Sequence, residues 1–147
     1  MTAVAIRKAD EADADAVASI LSGWIDRTDW MPRIHTLAGD HAFVSHLLQR
    51  GGVRVAVAAH GIEGFISQQS EEIDALYVSN CRQGIGSALL SDAKERCQRL
   101  SLWTFAANEG ARRFYARHGF VEVGATDGDN DETLPDVRLL WEVKTNG

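Results

Sequence analysis

Apolar positions along this chain switch between two spacings, and each switch marks an element. Val53, Val55, Val57 and Ala59 alternate with Arg54, Ala56 and Ala58, the period of a strand, over residues 53–59. Val17, Ile20, Leu21, Trp24 and Ile25 recur at three and four, which predicts the buried face of a helix over 11–25, with Asp10 placed to cap it. A short strand over 4–7 precedes that helix, and Pro32 interrupts the segment 26–36 that follows it. Phe43, Val44, Leu47 and Leu48 mark a second helix over 41–49, with Asp40 as its expected cap and Gly51-Gly52 as its stop. Residues 60–63 read as a hairpin-length connection between the strand at 53–59 and another at 64–68, and 72–78 reads as a fourth strand. Ile85, Leu89, Leu90, Ala93 and Cys97 give the inward stripe of a helix over 85–99. A strand over 100–106, a helix over 108–118 stopped by Gly119, and two closing strands over 120–125 and 137–143 complete the chain.

The predicted order is strand, two helices, three strands, helix, strand, helix, two strands. Such an order belongs to a mixed α/β sheet with helices on both faces. The strand–helix–strand passage over 72–106 predicts a parallel crossover, and ligands bind beyond the carboxyl ends of strands joined that way. No repeat, low-complexity tract or linker divides residues 1–147, so one domain is expected.

Composition narrows the picture. Apolar residues make up 45% and charged residues 24%, an ordinary globular mix. There is no apolar run of membrane-spanning length and no signal-peptide pattern, so a cytoplasmic protein without a membrane partner is expected. Cys81 and Cys97 make no disulfide framework, and no metal-ligand spacing is present. Net charge is −6, which argues against nucleic acid and suits a cationic substrate. The run 127–132 looks at first like a calcium loop, but its sixth position is Glu132 and its twelfth is Arg138, so it reads as a solvated acidic loop.

Candidate chemistry centres on Arg82-Gln83-Gly84-Ile85-Gly86-Ser87, a Gly-rich turn between a strand and a helix. The first amides of a helix lack backbone partners and sit at its positive end. Gly84 and Gly86 would let a phosphate approach those amides, and Arg82 would add a charged donor.

Two stretches carry a family resemblance. Leu76-Tyr77-Val78 ahead of Gly84-Ile85-Gly86-Ser87-Ala88-Leu89-Leu90 resembles the acetyl-CoA-binding motif of the GCN5-related N-acetyltransferase (GNAT) superfamily. Asn108-Glu109-Gly110-Ala111-Arg112-Arg113-Phe114-Tyr115, ending in Gly119-Phe120, is similar to its second signature. Cys81 stands where the family usually has Gln or Arg, and the loop before Gly84 is shorter than usual and lacks its common Pro. The resemblance implies an acyl-CoA N-acyltransferase fold with a mixed, mostly antiparallel sheet of about seven strands and about four helices. It implies direct acetyl transfer from acetyl-CoA to a primary amine of a small molecule or peptide, with no metal. The pyrophosphate would sit on residues 82–87 (Arg82, Gln83, Gly84, Ile85, Gly86 and Ser87), and the pantetheine arm would lie along Leu76, Tyr77 and Val78. Asn108 and Tyr115, two helical turns apart, would face the CoA sulfur, with Tyr115 as general acid.

Further assignments follow from position. Period two places Glu72 and Asp74 on one strand face with Leu76 and Val78, and Glu72 stands where several family members carry a general base. Trp30, Met31, Pro32 and His35 lie where the family builds a wall of the acceptor site, so Trp30, Met31, His35 and Asp74 are candidate substrate contacts. A non-catalytic acyl-CoA-binding sensor with the same fold is the rival reading. Edge strands near the C-terminus would offer a homodimer contact.

Overall fold

A computed structural model describes residues 4–32, 36–59, 61–79, 84–128, 130 and 132–143. The elements are β1 (Ala5–Lys8), α1 (Ala14–Arg27) after a 3-10 turn at Glu11–Asp13, α2 (Leu37–Arg50), β2 (Val53–Ala58), β3 (Gly61–Gln69), β4 (Glu72–Val78), α3 (Ile85–Arg96), β5 (Arg99–Phe105), α4 (Glu109–Arg117), β6 (Val121–Thr126) and β7 (Asp136–Glu142). The seven strands form one sheet in the order β1-β2-β3-β4-β5-β7-β6. Every neighbouring pair is antiparallel except β4 and β5, which are parallel and joined through α3. The expected order and the mixed, mostly antiparallel sheet with four helices are what the molecule shows. Among the described residues no helix is long and apolar enough to cross a membrane.

Two cores lie on opposite faces of the sheet. Val17, Leu21, Val44 and Leu47 of α1 and α2 pack on Val53, Val55 and Phe65. Ile85, Leu89, Leu90 and Ala93 of α3, with Tyr115 of α4, pack on Ile66, Ile73, Leu100 and Leu139. Each fully buried apolar side chain of this size contributes roughly 1.5–3 kcal/mol against exposure.

Local chemistry sets the boundaries, and several differ from expectation. The first helix opens as a 3-10 turn because Asp10 accepts from the Ala12 amide at 2.9 Å while Asp13 accepts from the Asp10 amide at 2.9 Å. α2 starts at Leu37, because the Thr36 hydroxyl caps it by accepting from the Gly39 amide at 3.0 Å. Asp40 is therefore not the cap. It lies inside the first turn, 3% exposed, and accepts from the Ser22 hydroxyl at 2.6 Å. β3 begins at Gly61, three residues earlier than the pattern gives, because an extra residue at Glu63 lets pairing with β2 continue from Gly64 to Ile62. α3 ends at Arg96, where Cys97 turns extended and the Gln98 carbonyl accepts from the Val143 amide at 2.8 Å.

β4 carries the irregularity that matters most. Ser67 pairs with Ala75 and Gln68 with Ile73, so Asp74 is an extra, bulged residue. Ile73, Leu76 and Val78 consequently pack toward α3 and α4, while Ala75 and Tyr77 pack toward α1 and α2. The expectation that Glu72 and Asp74 share a face with Leu76 and Val78 is corrected here. Both acidic residues lie on the opposite face, since the bulge inverts the alternation between Ile73 and Ala75.

Candidate functional site

The parallel pairing of β4 and β5 is short. Only Glu72 with Ser101 and Ile73 with Leu102 are in register, and beyond them the strands part. The gap is a cavity of about 140 Å³. Its walls are residues 73–77 of β4 and 102–105 of β5, with Asn108, Ala111 and Tyr115 of α4, Trp24 of α1, and Asn130 and Asp136 from the β6–β7 side. The β4 edge that looks into the gap keeps peptide groups that no β5 residue pairs with, the requirement for taking an extended ligand as an added strand.

α4 delivers two polar groups to this gap. Asn108 caps the helix by accepting from the Ala111 amide at 3.1 Å, and it also lines the cavity. Tyr115 is 6% exposed, with its ring centroid 5.2 Å from those of both Phe114 and Phe120. Its hydroxyl makes no hydrogen bond among the described residues. Burial pushes the Tyr115 phenol well above its ordinary pKa, with the Tyr77 phenol adding to the effect. Tyr77, across the gap, is pushed up to about 12 by burial and then by the charge of Glu132.

The turn into α3 is described from Gly84 onward, and the candidates Arg82 and Gln83, like Cys81, lie outside the described residues. Gly84 holds the left-handed conformation at φ 69°, and a Cβ there would meet open space. The Ala88 amide donates to the Gly84 carbonyl at 3.0 Å, so the helix itself leaves the amides of Ile85, Gly86 and Ser87 for a ligand or solvent. Gly86 also has a packing use. A Cβ there would stand 3.3 Å from the Phe114 ring, so its missing side chain serves the packing of α3 on α4. Ser87 Oγ and His118 Nε2 are 3.0 Å apart, which ties the first turn of α3 to the end of α4. Burial, and then Lys94 and Arg117, hold the His118 imidazole below its ordinary pKa.

The other candidates separate. Glu72 does not line the cavity. Its carboxylate accepts two hydrogen bonds from Arg138, both at 2.7 Å, and one from the Ser101 hydroxyl at 3.0 Å. Asp74 does line the cavity, but it is paired with Arg50 at 2.7 Å. Burial raises the Asp74 pKa and Arg50 opposes the rise. Trp30 stands edge-on to Trp24 at 5.9 Å and to Phe105 at 5.7 Å, while the Met31 amide only closes a turn onto the Thr28 carbonyl. His35 lies outside the described residues.

Trp24, Phe105 and Asn130 line the cavity without having been singled out as site residues, and Asp136, which the sequence places at the end of an acidic loop suited to a cationic amine, lines it too. Trp24 falls on the apolar stripe of its helix, which hides a cavity residue among core residues. Asn130 and Asp136 belong to the acidic loop and the strand after it. The Asn130 amide donates to the Leu134 carbonyl at 2.7 Å and to Asp136 at 3.2 Å, and Thr126 also donates to Asp136. These bonds hold the Asp136 carboxylate at the gap.

The comparisons with known proteins agree with this fold. The family model described as Acetyltransferase (GNAT) domain matches residues 49–122, half of the chain and including both motifs. No curated protein matches the chain significantly. The fold is similar to the apo form of YjaB from Escherichia coli, with a TM-score of 0.80 at 22% identity over 97% of this chain and 99% of that one. It is similar to a GNAT-family acetyltransferase from Bacillus cereus, with a TM-score of 0.78 at 19% identity over 97% and 99%. A ribosomal-protein-alanine N-acetyltransferase from Brucella melitensis gives 0.70 at 23% identity over 95% and 99%.

Proposed function

This chain belongs to the GNAT acetyltransferase family, and from that premise we propose that it moves the acetyl group of acetyl-CoA directly onto a primary amine. The observation that carries the reading is the gap between β4 and β5, with an unpaired strand edge on one side and Asn108 and Tyr115 on the other. The residues present fit acetyl-CoA. The amides of 85–87 at the positive end of α3 suit a pyrophosphate, and the β4 edge over Leu76–Val78 suits an extended pantetheine arm. When bound, acetyl-CoA supplies the activated acetyl group and a thiol leaving group.

The chain then has three tasks. Backbone N–H groups of β4 donate to the thioester carbonyl oxygen as it gains charge. Tyr115 would give its phenolic proton to the departing sulfur, a proton that a phenol holds at neutral pH. The incoming ammonium must lose a proton before attack. Asp136 is our candidate acceptor, because it faces the cavity without a basic partner among the described residues, whereas Glu72 is held by Arg138 outside it.

The test is a coupled measurement on the purified protein. Calorimetry should show acetyl-CoA binding, and a panel of primary amines should release CoA thiol in step with an acetylated product seen by mass spectrometry. Absence of acetyl-CoA binding would overturn the reading.

A further inference from the structure

The acceptor end of the gap has a chemistry of its own. Four aromatic rings meet there in a connected series. Tyr77 and Trp24 stand 5.0 Å apart and tilted, Trp24 and Trp30 5.9 Å apart edge-on, and Trp30 and Phe105 5.7 Å apart edge-on. Trp24, Tyr77 and Phe105 line the cavity, and Trp30 closes behind two of them. Rings packed edge to face leave faces turned in different directions, and an aromatic face attracts a cation.

The charges point the same way. The described lining contains Asp74 and Asp136 and no Lys, Arg or His. Guanidinium groups nearby are already engaged, Arg50 by Asp74 and Arg138 by Glu72, with Arg138 also 5.3 Å from the Trp103 ring. A carboxylate brought into this space would meet Asp136 and, among the described residues of the lining, no counter-charge.

Building on the transferase reading above, we propose that the acceptor is a compact amine, cationic in solution, with an apolar or aromatic body and no carboxylate. Its ammonium lies toward Asp136 and its body within the box of Trp24, Trp30, Tyr77 and Phe105. Amino acids and chain-like polyamines are the wrong shape or the wrong charge for it.

Three probes sharing a primary amine decide the matter: phenethylamine, free phenylalanine, which adds only the carboxylate, and putrescine, which lacks the ring. The expected result is a kcat/KM for phenethylamine at least about tenfold above both others, the scale of one well-placed cation–π contact with its ring burial. Trp24→Leu, which keeps apolar volume, and Asp136→Asn should each raise the phenethylamine KM roughly tenfold and leave the acetyl-CoA KM in place. Phenylalanine or putrescine performing as well as phenethylamine would overturn the inference. So would an unchanged phenethylamine KM in both variants. If acetyl-CoA binds and no probe is acetylated, the acceptor assignment falls and the family reading stands. If acetyl-CoA does not bind, the transferase reading falls, and direct calorimetry with phenethylamine against phenylalanine still decides whether the box selects a carboxylate-free cation.

Discussion

Tyr115 is 6% exposed and lines the gap, and its hydroxyl has no partner among the described residues, which leaves that hydroxyl to a group in the gap. The proposed acid role is such a use, since a phenol is neutral at neutral pH and can give its proton to a developing thiolate. Removing only the oxygen separates this role from packing. Tyr115→Phe should lower kcat by about 10²-fold, the usual scale of general acid catalysis. The melting temperature should stay level or rise slightly, because no internal hydrogen bond is lost. Near wild-type kcat, under conditions where chemistry limits the rate, would reduce Tyr115 to a core ring. Its position was legible in the sequence because helical spacing is a local rule. Asn108 and Tyr115, seven residues apart, do line one cavity.

At the scale of the element, β4 shows where local rules stop. Counting in twos cannot register an inserted residue, and the bulge at Asp74 inverts the face of everything before it. Nor could the sequence announce Arg138, which lies 66 positions from Glu72 and reaches it only after β7 has docked on β5. That ion pair fastens the end of the β4–β5 pair from which the gap opens. Its side chains are 27% and 35% exposed, between the cases of a surface pair and a buried one. Breaking it should therefore cost about 1–2 kcal/mol, or roughly 3–6 °C in melting temperature for a chain of this length. Glu72→Gln should lower the melting temperature by that much while kcat of the folded protein holds. A large fall in kcat/KM with an unchanged melting temperature, recovering at high pH, would instead make Glu72 the base. Helix caps follow the same lesson. Thr36 and Asp40 are both cap-forming residues four positions apart, and it is Thr36 that accepts from the Gly39 amide and begins α2, while Asp40 is buried and accepts from Ser22.

The element order was legible along the whole chain because the apolar stripe of a helix and the alternation of a strand are patterns local in sequence. What the molecule adds is the convergence of distant segments on one gap, and a global titration reads that convergence. The chain has two tyrosines, Tyr77 on β4 and Tyr115 on α4, and both line the gap. Unfolded, each phenol ionises near its reference pKa of about 10. Folded, burial raises both, Tyr77 to about 12 and Tyr115 likewise upward. Below pH about 10 the phenols are neutral in both states and cost nothing. Above it the unfolded chain gives up protons that the folded one keeps, so stability falls as the pH climbs through the raised values. Tyrosinate absorbance and far-ultraviolet circular dichroism, followed together from neutral to alkaline pH, should therefore change in one transition, with the phenols ionising as the fold is lost. Replacing both residues with Phe should flatten the alkaline fall in stability relative to wild type, the difference isolating the phenols from the lysines that titrate in the same range. Tyrosinate appearing near pH 10 with the circular dichroism unchanged would mean that solvent already reaches these hydroxyls. That result would open both phenols to bulk solvent without touching the acid role of Tyr115, since an ordinary phenol is also neutral at neutral pH.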